Sequence, residues 1–340
     1  MEDATLMCGE VVDFGQRGLR IASIFILLAG SLLGALLPIL VSRKSSGRRA
    51  RGQALALFIC KHIGTGVITA TAWMHLLSPA VEALQDECLG ERLGDYDWVF
   101  AISLLTVMAM VLIELIATSF GGSGLSHGAE ARTAIPLQSP LGNKSDVEAY
   151  TRESSVTQTI QNIQPEAEDQ QHQELEDLSI SLPGQLSAIF ILEFGVVFHS
   201  VFIGLVLATT SELTILTIVF TIHQLFEGLG LGSRLATVQW PPGGPWWPYL
   251  LACTFALASP LAIAIGIAAK PSNAETQLLV TGIFNSVGAG ILMYTGLVEL
   301  LAKEFIFNPE MRRAPVQVRI AAFSCVAFGV SIMAVLAVWA

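Results

Sequence analysis

Charged side chains are what this sequence has least of. Asp, Glu, Lys and Arg make up 14% of its 340 residues, against about 25% in soluble domains. Hydrophobic residues make up 53%, and the mean hydropathy is +0.62. A water-facing globule cannot bury that much apolar sequence, so the chain reads as an integral membrane protein. Basic charge is scarcer still: a net charge of −10 with no concentrated Lys/Arg face excludes a nucleic-acid binder. Five cysteines are too few for a disulfide scaffold, and no CxxC or Cys/His cluster of the structural zinc type occurs. Any metal chemistry must therefore use His and carboxylates. The GxxxxGK[ST] loop that would bring ATP is missing, as is the HExxH helix of zinc proteases, and no solenoid repeat is present.

What is present is a set of long uncharged runs. Windows of about 19 residues give eight spans: Leu19 to Val41, Ala54 to Leu77, Trp98 to Ser119, Leu186 to Thr209, Leu213 to Leu235, Tyr249 to Ala269, Leu278 to Leu301 and Val318 to Trp339. Each is close to the roughly 20 residues that an α-helix needs to cross a bilayer. Barrel strands would alternate over about ten residues instead, so the expected fold is an all-α bundle of eight transmembrane helices. The first span is too long for a signal-peptide core and has no small-residue cleavage site after it, so it is kept.

The basic cluster Arg43, Lys44, Arg48, Arg49 and Arg51 follows the first span and predicts a cytosolic loop there. Alternation then places both termini outside. Acidic residues gather on that outer side, before span one and between spans two and three, and would draw cations to it. Cys8 and Cys88 share this oxidising side, where a disulfide between them is one open outcome. Residues 121–183 change character: they are acidic, rich in Gly, Ser, Gln and Glu, and predict a disordered cytosolic loop. The chain thus divides into an extracellular N-terminus (1–18), three helices (19–120), the loop (121–183) and five helices (184–340). The loop's two histidines, His127 and His172, are far apart and read as solvated.

The informative residues are those a membrane should exclude, since an ionisable group at mid-bilayer costs roughly 2.5 to 3.5 kcal/mol. Span four reads LEFGVVFHSVFIG, with Glu193, His199 and Ser200; span five reads HQLFEGLGLG, with His223, Gln224 and Glu227. Only Thr210, Ser211 and Glu212 join the two spans, so they form antiparallel neighbours with both imidazoles near mid-depth. His223 and Glu227 stand four apart and share a helical face. Two neutral imidazoles and a carboxylate suit Zn²⁺ and leave a coordination position open, with Ser200 and Gln224 able to supply a weaker oxygen shell. Interhelical hydrogen-bond glue is the competing reading. Gly228, Gly230 and Gly232 read as close-packing positions. Lys61 can snorkel to the cytosolic interface, His62 can reach water beside it, and Glu114 reads as interfacial.

HSVFIG and HQLFEGLGLG resemble the signature helices of the ZIP (Zrt/Irt-like) zinc transporters. WMHLLSPA at the end of span two resembles that family's MHxLP segment, ASPLAIAIGI its sixth helix and NSVGAGILMYTGLVELLAKEF its seventh. The likeness covers all eight spans and is nearest the fungal plasma-membrane branch. It implies eight helices in a 3+5 arrangement, a multi-pass plasma-membrane location and uptake of Zn²⁺ into the cytosol. Carried over by motif, His199, His223 and Glu227 are the primary ligands, Ser200 and Gln224 secondary ones, and His75 belongs to the entrance. Glu299 and Glu193 are candidates for the exit path. No prosthetic group is expected; Fe²⁺, Mn²⁺ and Cd²⁺ are alternative cargoes, and a homodimer is an open expectation.

The sequence departs from the pattern at Ile203, where some branches carry a glutamate and a second metal, and in a central loop with few histidines. Alternating access at one site, without ATP, is the expected mechanism. An intramembrane zinc hydrolase is the rival.

Overall fold

A computed structural model describes residues 16–42, 48–121, 182–210, 212–241, 243–269 and 274–339. Its helices are α1 (Arg17–Val41), α2 (Arg48–Thr71), α3 (Trp98–Gly121), α4 (Leu182–Thr209), α5 (Leu213–Thr237), α6 (Trp247–Ala269), α7 (Ala274–Tyr294) and α8 (Val316–Leu336). Short turns at Glu87–Leu89, Gly90–Leu93 and Pro309–Arg313 lie between them. All eight long helices are apolar enough to cross a membrane. One compact unit comprises Met1–Leu115 and Gln185–Ala340, and it holds every feature described below.

Two spans run longer than their apolar windows. α2 continues through a π-helical segment, Ala72–Leu77, and then Ser78–Leu84; α7 continues through a second, Thr295–Phe307. The spans become Ala50–Leu84 and Glu275–Phe307, where the sequence suggested Ala54 to Leu77 and Leu278 to Leu301. Charged residues such as Glu82, Lys303 and Glu304 end a hydropathy window without ending a helix. The π segments carry His75 and Glu299 respectively, and π turns concentrate at functional sites.

Small residues decide how the helices meet. A methyl group on Gly34 of α1 would come within 2.4 Å of the Leu225 carbonyl of α5, and one on Gly232 of α5 within 2.1 Å of the Ala35 carbonyl. The backbones of α1 and α5 are therefore in contact, which only residues without bulk allow. α2 crosses α5 in the same way at Gly64 and Gly230. By contrast α3 turns Leu104, Leu105 and Met108 outward, and α8 turns out Ile320 and Phe323; such residues need lipid around them.

Of the expected central loop (121–183), residues 122–181, with His127 and His172, lie outside the described residues, as do those before 16, while Gly121, Leu182 and Pro183 belong to α3 and α4. Cys88 is disulfide-bonded, whereas Cys60, Cys253 and Cys325 are free. Cys8 lies outside the described residues.

Candidate metal site

α4 and α5 bring His199, His223 and Glu227 to one point. One ligand atom from each lies within 4.8 Å of the others. His199 Nε2 faces His223 Nε2 at 3.3 Å, and His223 Nε2 stands 3.5 Å from Glu227 Oε2. All three are buried, at 2%, 0% and 0% exposure. The four-residue spacing on α5 and the short α4–α5 connection account for this meeting.

These distances decide what the cluster suits. Zinc bonds to nitrogen at about 2.0–2.1 Å in a tetrahedron, whose edge is then about 3.3–3.4 Å. The two separations, 3.3 and 3.5 Å, lie on and just above that edge. His199 Nδ1, His223 Nδ1 and both Glu227 oxygens have no hydrogen-bond partner among the described residues. Glue between helices would satisfy such atoms, because a buried polar group left unpaired costs about 1–3 kcal/mol. A dehydrated divalent cation would satisfy the carboxylate at once.

Ser200 and Gln224 are placed one step back from the centre. Gln224 Nε2 donates to Ser200 Oγ at 3.0 Å, and Ser31 Oγ of α1 donates to Gln224 Oε1 at 3.2 Å. Ser259 Oγ of α6 donates to the Ser200 carbonyl at 2.8 Å. The glutamine is thus oriented by α1 and α4 together, and one polar chain runs through α1, α5, α4 and α6.

His75 stands edge-on to His223, ring centroids 4.6 Å apart, with both its nitrogens buried. It borders the cluster directly. Glu193 is 5% exposed, its two oxygens equally unpartnered. It precedes His199 by six residues, about 9 Å along α4. Glu299 accepts a 2.6 Å hydrogen bond from Lys303, which also bonds Glu114. His62 lies between Phe58 and Phe305, its Nδ1 2.7 Å from the Phe58 carbonyl. Lys61 pairs with Glu304 at 3.3 Å.

Two arginines escaped the sequence reading. Arg20 donates to the carbonyls of Leu207 and Thr210 at 2.8 and 2.7 Å, meeting the carbonyls that the end of α4 leaves without partners. Arg234, 4% exposed on α5, donates to Thr65 Oγ1 at 2.7 Å. The available signal for the second was its place seven residues after Glu227, on the same face.

On the other side of His199 the surroundings are apolar. Ile203, one turn along α4, is 3% exposed and clusters with Leu27, Leu207, Leu216, Phe220 and Ile263.

Comparison with known proteins bears on this geometry. The ZIP Zinc transporter family model matches residues 17–337. Zinc-regulated transporter 2 of Saccharomyces cerevisiae is 33% identical over 404 residues, covering 96% of this chain and 95% of the relative. Zinc-regulated transporter 1 of the same yeast is 36% identical over 341 residues, covering 96% and 88%. Fe(2+) transport protein 2 of Arabidopsis thaliana is 30% identical over 333 residues, covering 95% and 87%. These are transporters and not enzymes, which removes the hydrolase reading. With a match over nearly its whole length and a buried His/His/Glu cluster where the signature helices meet, the chain belongs to the ZIP zinc transporter family.

Proposed function

We propose that this protein takes Zn²⁺ from outside the cell into the cytosol through a single site formed by His199, His223 and Glu227. One observation carries the reading: three buried ligand groups lie within 4.8 Å of one another, with His223 3.3 Å from His199 and 3.5 Å from Glu227, close to the edge of a zinc tetrahedron. Ser200 and Gln224 orient the site and add weak oxygen donors. His75 passes the ion in, and Glu193 and Glu299 lie along its way out. Iron(II) and other divalent ions compete for the same donors, in keeping with an iron-named relative.

Three protein ligands set a useful compromise. A closed structural zinc site, worth roughly 10 to 16 kcal/mol, would trap its ion, whereas a micromolar site is worth about 8 kcal/mol. Two imidazoles, one carboxylate and an open position fit the second case. Alternating access exposes this site to each side in turn, driven by the ion's gradient.

The basic loop after α1 sets the orientation: residues 43–51 and 121–183 in the cytosol, both termini outside, and the plasma membrane as location. The test is uptake of radioactive zinc by a zinc-starved host, with Mn²⁺, Fe²⁺ and Cd²⁺ as competitors. Uptake that needs the protein and is lost in Glu227→Ala, with surface protein retained, supports the reading; uptake unchanged in that variant overturns it. Asn143, in the sequon Asn143-Lys144-Ser145, tests the orientation, because glycosylation there would place the loop in the lumen.

A further inference from the structure

Arg234 is a buried charge that the ion site does not use. Seven residues after Glu227 on α5, it lies on the same face and about 10 Å further along. An ion leaving Glu227 along that face meets a guanidinium. Its Nη2 reaches Glu304 of the α7 π segment at 3.4 Å as well as Thr65 of α2. Nε and Nη1 are buried with no partner among the described residues. A guanidinium has five N–H donors, so this one is held by a fraction of its capacity.

Two further observations make the contact able to open. Glu304 has a second base, Lys61 of α2, at 3.3 Å, so its charge stays compensated if Arg234 leaves. One turn before Arg234, α5 crosses α2 at Gly230 against Gly64, where a methyl on Gly64 would stand 2.0 Å from the Gly230 Cα. Two glycines form that crossing, so at this point no bulky side chain keys one helix to the other. The carboxylates Glu299 and Glu114 are both bonded to Lys303, whose one positive charge they share.

We propose that Arg234 and Glu304 form the inner gate of the ion pathway. Closed, the pair ties the site-bearing helix α5 to α7 and lays a fixed positive charge across the exit. When α5 shifts against α2 and α7, the pair parts, Lys61 keeps Glu304, and the way from Glu227 to the cytosol opens. The gate rests on the transport reading and orientation given above.

Cysteine accessibility tests it. In the full chain with Cys60, Cys253 and Cys325 changed to Ala, Leu231→Cys places a reporter between Glu227 and Arg234 on the same face, at a position that is fully buried. Inside-out membrane vesicles are treated with an impermeant maleimide, and zinc uptake is measured on cells making the same protein. Glu304→Gln should raise the labelling rate about fivefold, the population shift expected for losing one partly buried pair. The exchange Arg234→Glu with Glu304→Arg, made together with Lys61→Gln so that the new arginine faces no second base, should return labelling to the reporter's rate. Thr65→Val, which removes one support of Arg234 without changing side-chain size, should raise labelling about twofold and guards against a misfolded charge variant. If the reporter protein takes up zinc but neither Glu304→Gln nor Thr65→Val labels faster, or if the exchange leaves labelling high, the pair is a static brace and the gate is wrong. A reporter protein that takes up no zinc would count against the transport reading itself.

Discussion

The two ends of the His/His/Glu cluster are closed by opposite means. Beyond His199 toward the α4 C-terminus, Ile203, Leu27, Leu216 and Phe220 form a buried apolar plug. In the other direction lie Glu193, then Arg234, Glu304 and Lys61, charges that are buried or half-buried and only partly paired. An apolar plug excludes a hydrated ion by refusing it water and costs nothing when it is intact. A charged closure excludes a cation by repulsion and can change state when one partner moves. The two closures differ in kind: one is a barrier crossed by shedding water, the other a switch, and the direction of net movement is left to the ion's gradient.

The sharpest way to break the comparison is to remove the centre that both ends serve. Alanine at His223 or at Glu227 should lower zinc uptake by at least about 100-fold, since even outer-shell changes at metal sites cost 10–100-fold. Protein at the surface, measured by biotinylation, should persist. Near-normal uptake by His223→Ala would return the cluster to hydrogen-bond glue.

The plug comes next. Ile203→Glu puts a carboxylate one turn from His199, adding an oxygen donor and a negative charge where there is now packing. A lower maximal rate, a lower apparent Michaelis constant and stronger competition from Mn²⁺ or Fe²⁺ should follow. Transport per surface molecule is the measurement that decides: unchanged selectivity with depleted protein would mean that Ile203 serves packing alone, the buried charge costing a few kcal/mol.

A smaller effect is expected from the residues that orient the site. Gln224→Ala removes the acceptor for Ser31 and the donor to Ser200, and apparent zinc affinity in uptake assays should weaken about tenfold. Smallest of all is His62→Ala. Its ring lies between Phe58 and Phe305 rather than at the cluster, so uptake should stay within about twofold, as for a change away from the site. A large loss would extend the ion's path to the α2 start.

Much of this was legible in the sequence because membranes punish charge. Eight spans stand out as uncharged windows, and His199, His223 and Glu227 stand out against them, tied together by a four-residue spacing and a three-residue connection. Other features depend on distant partners. Arg20, near the start of a span, carries no motif, and only the carbonyls of Leu207 and Thr210 give it a role. Arg234 likewise needs Glu304, 70 residues away. His75 meets His223 only because α2 and α5 approach closely at two glycines. The π segments of α2 and α7 leave no mark on hydropathy, since a wider turn changes register and not composition.

The hydrogen-bonded chain from Ser31 through Gln224 and Ser200 to Ser259 acts as a caliper. Because it fastens α1, α5, α4 and α6 to one another beside the ligands, the cage cannot widen at one corner alone. Calcium binds oxygen at about 2.3–2.6 Å with six to eight partners, which calls for a broader, more crowded cage than this frame permits. Calcium, although it carries the same charge as zinc, should therefore compete poorly in zinc uptake, which added calcium chloride in the same assay checks.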